Sequence, residues 1–196
     1  AEHLLFEKSL NEKNIEKLNK QIEWWKKYVA INDSTLDNNP SPGNKKGGLT
    51  TILEKSLGAV SKAGNRNMVD VLDYAEQVKT KGLNFMNSPG YDPVSVTGQV
   101  ASGANVICFT TGRGSCFGFK PTPSIKIATN TNMYNKLSED MDINAGTIMD
   151  NVASVNEVGK EIFDKIISVA SGEKSKSEIN DYGDDEFNPW IIGATL

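Results

Sequence analysis

Apolar side chains at Ile15, Leu18, Ile22, Trp25 and Val29 recur at alternating steps of three and four, with Lys, Glu and Asn between them. That spacing lays one apolar stripe along a helix. It predicts a single amphipathic helix over residues 4 to 29, with Trp24 beside the stripe and placed to reach a neighbouring domain or subunit. Residues 51 to 62, with Ile52, Leu53, Leu57 and Val60, predict a second helix, and residues 68 to 79 (MVDVLDYAEQVK) a third. The apolar run 83 to 86 reads as a short buried strand. It stops at Asn87-Ser88-Pro89-Gly90, where proline and glycine turn the chain. The small and β-branched residues of 93 to 102 predict a helix packed closely on a sheet. Residues 105 to 111 (NVICFTT) form the clearest strand and 125 to 129 another. A last helix over 152 to 170 carries Val155, Val158, Ile162, Ile166 and Val169. Strands separated by helices are βαβ units with right-handed crossovers, so the class is α/β with a mostly parallel sheet.

Three segments fall outside this alternation. Residues 32 to 48 (NDSTLDNNPSPGNKKGG) hold two prolines and three glycines with almost no apolar content, and loops of that length are usually functional or disordered. The segment ends in Lys45, Lys46, Gly47 and Gly48 just before Thr50 and Thr51. Glycine N–H groups can close on an anion while lysines supply charge, so a carboxylate or phosphate site and a solvated linker both remain open. The order of a Walker loop is missing. Residues 171 to 187 read as an acidic surface tail, partly mobile, and 188 to 196 (NPWIIGATL) as an apolar end docked through Trp190, Ile191 and Ile192. The expected organisation is a helix over 1–31, a Gly/Pro/Lys loop over 32–50, an α/β part over 51–170 and a tail over 171–196.

Composition narrows the function classes. The 196 residues carry 21 basic and 25 acidic side chains, a formal charge of −4, and a pI near 5.1, which argues against nucleic acid as the main partner. No apolar run approaches the roughly 20 residues that span a bilayer, and no signal-peptide pattern opens the chain. Cys108 and Cys116 show no C-x-x-C spacing, so a reducing cytoplasm is expected. His3 is the one histidine and lies at the chain end. Whatever chemistry occurs here does not depend on an internal imidazole.

In open α/β sheets ligands gather beyond the carboxyl ends of strands. Those ends carry Asn87-Ser88-Pro89-Gly90-Tyr91-Asp92 and Thr110-Thr111-Gly112-Arg113-Gly114-Ser115-Cys116. Arg113 between two glycines suits a bidentate grip on a carboxylate, because the flanking backbone can come close; neutralising a structural carboxylate is the other reading. G-R-G-S-C-F-G lacks dinucleotide-loop spacing. Cys116 has no histidine to activate it, and Cys108 reads as a buried strand residue. Metal ligation by this chain would be through oxygen, with Glu54, Asp92 and Asp142 as candidates suited to Mg²⁺, Ca²⁺ or Mn²⁺, and to Fe²⁺ with further ligands.

Five blocks go beyond composition: NPSPGNKKGGLTTILEKSLG (39 to 58), GLNFMNSPGYDPVSVTG (82 to 98), FTTGRGSCFG (109 to 118), IKIATNT (125 to 131) and MDINAG (141 to 146). In this order they resemble the C-terminal region of the altronate and galactarate dehydratase family of sugar-acid dehydratases. The first block lies nearer the altronate branch. The resemblance implies a Rossmann-like three-layer fold with an unusual crossover, and a chain that is one part of a longer enzyme whose other part is its first partner, with a homodimer as a further one. It also implies a divalent metal, iron in particular, and loss of water from an aldonate such as altronate to give a 2-keto-3-deoxy acid; galactarate or another aldarate is the alternative substrate. Under it the substrate carboxylate meets Arg113 and the loop of Lys45, Lys46, Gly47 and Gly48. Lys55 is a base or electrostatic partner, and Glu54 and Asp92 are metal ligands. Ser88, Thr110 and Thr111, with Gly112 and Gly114, line the substrate. Ser115-Cys116-Phe117 stands where many relatives carry Thr-Pro-Phe, a departure that bears on substrate fit. The isolated chain is expected to be inactive. A non-catalytic scaffold or small-acid binding module is the competing reading.

Overall fold

The computed structural model describes residues 1–36, 40–46, 49–191 and 193. Two compact units make up the chain, Ala1–Gly103 with Pro189–Leu196, and Ala104–Asn188. Both are α/β, and every strand pairing among the described residues is parallel.

The first unit opens with helices α1 (Glu2–Lys8) and α2 (Glu12–Ile31) where the periodicity predicts one helix. Asn11 causes the break. Its extended backbone and its side chain, which accepts the Asn14 N–H at 2.9 Å, make it the N-cap of α2. Ser9 meanwhile pairs with Met68 and the Leu10 N–H donates to Met68 O at 3.3 Å, so the chain leaves the helix to join a strand. The buried stripe of α2 is Asn14, Leu18, Gln21, Tyr28 and Val29. It is turned from the predicted one, leaving Ile15 36% exposed. Helices α3 (Pro42–Lys46) and α4 (Ile52–Ser61) follow.

Residues 68 to 79 are not helical. Met68–Leu72 is strand β1, paired with β2 (Leu83–Met86) in the register Val71↔Phe85. A short run with apolar positions 68, 71 and 72 fits either period, and β-branched Val69 and Val71 favour the strand. Beyond Leu72 the Asp73 N–H donates to Glu76 Oε2 at 2.9 Å and the Glu76 N–H to Asp73 O at 3.1 Å, closing a turn. Leu18, Met68 and Val71 form the core with Leu5, Phe6, Leu83 and Phe85 around them. Helix α5 (Asp92–Ala101) completes the unit, and Gly98 on it lies so near Tyr74 that a Cβ would sit 2.4 Å from Cε2. Trp190 docks as expected, stacked on Trp25 at 5.3 Å and edge-on to Tyr74 at 5.5 Å. Trp24 turns to this cluster too, stacked on Tyr28 at 4.7 Å. Ile191 does not dock; it is 70% exposed. Ile192 lies outside the described residues.

The second unit is a three-stranded parallel sheet of β3 (Ile107–Thr111), β4 (Ser124–Ala128) and β5 (Ile143–Asn144), in that order. Helix α6 (Thr131–Lys136), a 3-10 turn at Ala145–Ile148, α7 (Val155–Ala170) and α8 (Lys176–Ile179) surround it. Ser154 and Glu157 form a reciprocal cap at the start of α7. Ile125, Ile127, Ile143 and Val169 make the core on one face. Cys108 is exposed on β3, an edge strand of this sheet, contrary to the sequence reading.

The acidic tail also packs more closely on the sheet than its composition suggests. Ser175 and Ser177 are buried, and Ser177 Oγ donates to Ser124 O at 3.1 Å. Gly183 takes φ +114, and a Cβ there would lie 2.7 Å from Lys120 N. Its carbonyl accepts the Lys120 N–H at 3.2 Å, while Lys120 pairs with Asp181 and Asp184. This strap covers the face of β4 that carries Lys126, which is fully buried, 4.0 Å from Asp140 Oδ1 and 5.4 Å from the Tyr182 ring centre. Burial pushes the Lys126 ammonium pKa down against the pull of Asp140 and Asp142.

Candidate functional site

In the first unit, the polar turn after β2 and the start of α5 border a cavity of 530 Å³. The turn is held at both ends: the Asn87 N–H donates to Leu72 O at 2.9 Å and Trp25 Nε1 donates to Asn87 Oδ1 at 2.7 Å. Ser88 Oγ lies 3.0 Å from Ser95 Oγ on α5. Pro93 in the first turn presets the backbone of α5 and brings Asp92 and Ser95 to the cavity. Glu2 from α1, Gln21 from α2 and Lys62 beyond α4 complete the polar lining, over a floor of Leu18, Ile22 and Phe85.

Burial raises the Asp92 carboxyl pKa, and Lys55 and Lys62 oppose it. A raised folded-state value means the folded chain binds this proton more tightly than the unfolded chain. The stabilisation is present in acid and is lost as pH rises through the folded pKa, so ionised Asp92 weakens the fold at neutral pH. Asp92→Asn is therefore expected to raise the melting temperature at pH 7, with the difference from wild type vanishing near pH 3 where both side chains are neutral. A pH-independent difference in thermal melts would contradict this.

The other candidates in this unit have structural duties. Glu54 Oε2 accepts from Thr50 N–H at 2.8 Å and Thr50 Oγ1 at 2.6 Å, bonds that hold its pKa down, while Thr51 Oγ1 accepts the Glu54 N–H and caps α4. Lys55 Nζ donates to Asn44 Oδ1 at 3.2 Å, and the same oxygen accepts from Ser41, which fixes α3 beside α4. Lys45 is exposed on α3. Lys46 ends that helix, and Gly47 and Gly48 lie outside the described residues. Among the described residues no three His, Cys, Asp or Glu side chains come together as metal ligands. Glu54 and Asp92 belong to no such group. Asp142 of the second unit is a structural carboxylate. It accepts the Lys126 N–H at 2.8 Å on Oδ2 and the Lys176 N–H at 3.0 Å on Oδ1.

In the second unit, β3 ends in the Gly112-Arg113-Gly114 loop. Thr111 Oγ1 accepts the N–H groups of Arg113 at 3.3 Å and Gly114 at 3.1 Å. The Thr111 carbonyl accepts the Thr129 N–H at 3.0 Å, and the Gly112 carbonyl accepts from Asn130 Nδ2 at 2.9 Å. Gly114 takes φ +91, and a Cβ would fall 2.0 Å from Leu137 Cδ1. A glycine at 114 serves the turn and its packing against Leu137 at the end of α6. Thr110 and Thr111 are half-buried. Arg113 is exposed and makes no ion pair among the described residues. That leaves the guanidinium available to an acid and disfavours its use on a structural carboxylate.

Periodicity passes over Gln21, Lys62 and Ser95. Ser95 could have been found from Asp92, since positions three apart share a helix face. Gln21 belongs to the alternative stripe 14-18-21-25-28, which a search for apolar residues alone does not count.

A sequence model described as D-galactarate/altronate dehydratase, C-terminal, matches residues 1–195. The chain belongs to this family. It is 42% identical over 174 residues to galactarate dehydratase (L-threo-forming) of Escherichia coli, covering 89% of this chain and 33% of that protein. It is 40% identical over 183 residues to altronate dehydratase of Bacillus subtilis, covering 93% and 36%. To the (2R)-sulfolactate sulfo-lyase subunit beta of Chromohalobacter salexigens it is 32% identical over 184 residues, covering 91% and 46%. The chain thus spans about a third of the two dehydratases. Among the described residues of this family member no helix is long and apolar enough to cross a membrane.

Proposed function

We propose that this chain is the C-terminal part of a sugar-acid dehydratase, acting with the remainder of such an enzyme to remove water from an aldonate such as altronate or an aldarate such as galactarate. The match over residues 1–195 is the observation that carries the reading. Removing a C2 proton leaves an enediolate that needs positive charge, and the departing C3 hydroxyl needs an acid. Arg113, exposed and unpaired among the described residues, takes the substrate carboxylate, with Thr110 and Thr111 at the same strand end. Within the first unit, Asp92, its carboxyl pKa raised by burial, is the proposed proton-exchanging group and Lys55 its electrostatic partner. Ser88 and Ser95 face hydroxyl groups. Lys45, Lys46, Gly47 and Gly48 remain proposed as an anion loop.

No metal ligand is assigned to this chain. The divalent cation that the resemblance implies, Fe²⁺ first, is proposed to be held by residues of the remaining part. A homodimer is proposed as the further assembly, supported by the exposed apolar stripe of Val155, Phe163 and Ile167 on α7.

The test is a chimera in which these residues replace the matching 183-residue stretch of the Bacillus subtilis altronate dehydratase. It is expected to dehydrate altronate or galactarate in the presence of Fe²⁺. A folded chimera that turns over neither acid overturns the proposal.

A further inference from the structure

An exposed arginine that grips an anion gives up rotamer freedom, so the direction in which its backbone starts the side chain matters. For Arg113 that direction is set by one peptide plane, formed by the Gly112 carbonyl and the Arg113 N–H. Both polar atoms of the plane are held. Thr111 Oγ1 accepts the Arg113 N–H at 3.3 Å, and Asn130 Nδ2 donates to the Gly112 carbonyl at 2.9 Å. Parallel pairing of Thr111 with Ala128 brings the ends of β3 and β4 level, which places Asn130 beside the loop. Asn130 Oδ1 meanwhile accepts the Met133 N–H at 2.8 Å and caps α6. A main-chain N–H only donates and a carbonyl only accepts, so these two partners fix which end of the carboxamide is the nitrogen. Capping alone does not call for asparagine, since serine and aspartate cap a helix about as well. Aspartate has no donor for Gly112, however, and serine ends one bond short of the place of Nδ2.

We infer that Asn130 is a positioning residue for Arg113: it locks the peptide from which the arginine springs, so that the guanidinium meets the substrate carboxylate in a set direction. The inference rests on the sugar-acid reading above and deepens it by naming what orients the anion contact. Asn130 touches no substrate itself. Its effect passes through Arg113, because a contact keeps its strength only while its supports hold the geometry.

Asn130→Ser keeps the cap and removes the bond to Gly112 without adding charge. In the chimera it is expected to raise KM about tenfold with kcat little changed, the pattern of a lost contact common to ground and transition states. Beside Arg113→Ala the same substitution should cost nothing more, since its route of action is already gone. In the 196-residue chain the backbone amide order parameter of Arg113 should fall from about 0.85 to about 0.6 or below, with the melting temperature unchanged. Asn130→Asp also keeps the cap and sets an oxygen against the Gly112 carbonyl; it should raise KM at least as far, and it takes the place of the serine variant if that one does not fold. Unaltered KM, a loss that adds in full to that of Arg113→Ala, or an unchanged order parameter overturns the inference. An Arg113→Ala chimera as active as its parent overturns the assignment of the arginine, and this inference with it. A chimera inactive from the start overturns the dehydratase reading instead, and the order parameter then decides alone whether Asn130 holds the loop.

Discussion

Replacing Asp142 with alanine is expected to lower the unfolding free energy of the chain by about 3 kcal/mol. Each carboxylate oxygen accepts a main-chain N–H, one from Lys126 on β4 and one from Lys176 at the start of α8. Hydrogen bonds to a charged group contribute about 1.5 to 3 kcal/mol each, and the alanine variant strands both donors in a partly buried place. Asparagine keeps one acceptor and is expected to lose about half as much. Urea unfolding followed by far-ultraviolet circular dichroism measures the difference. A loss below about 1 kcal/mol for the alanine variant would show that other groups hold the strap to the sheet.

Arg113→Ala in the chimera is expected to lower kcat/KM by roughly a hundredfold to a thousandfold, the scale of losing a bidentate charged contact to a carboxylate. Arg113→Lys restores part of that loss, since a lysine supplies charge without the planar fork. Stability should not change in either variant, because the side chain is exposed and pairs with no described residue. Steady-state kinetics beside thermal melts tells the two effects apart. A fall in melting temperature that tracks the fall in activity would assign Arg113 to the fold, against the proposed contact.

Much of the fold was legible because buried segments obey one period. Residues 83 to 86, 105 to 111, 125 to 129 and 152 to 170 each gave the element later seen, with ends displaced by a few residues. The errors came where local signals conflict. In MVDVL the apolar positions satisfy both periods, and the two β-branched valines together with pairing to β2 decide. Asn11 reads as one polar residue among many in a helix until Ser9 is seen to pair with Met68. The strap misleads for another reason: Ser175 and Ser177 are buried, yet their hydroxyls are satisfied locally, and a polar composition does not reveal burial of that kind. In the candidate site, strand ends and the arginine loop could be read directly. Gly114 has a structural task that its sequence context does not show, because Thr111 Oγ1 takes its N–H and Leu137 fills the space beside it. Asp92 stands out at a strand end, but its lysine neighbours come from α4 and the residue that follows it, which its own segment cannot indicate.

The aromatic cluster gives the molecule a built-in optical division. Its three tryptophans, Trp24, Trp25 and Trp190, all belong to the first unit, packed ring against ring. The second unit contains no indole at all. Intrinsic fluorescence excited at indole wavelengths therefore originates in one half of the chain, whereas circular dichroism collects helices from both. Two ordinary spectrometers, used on one unlabelled sample, suffice to follow the halves apart and to measure how strongly the melting of one drags on the other.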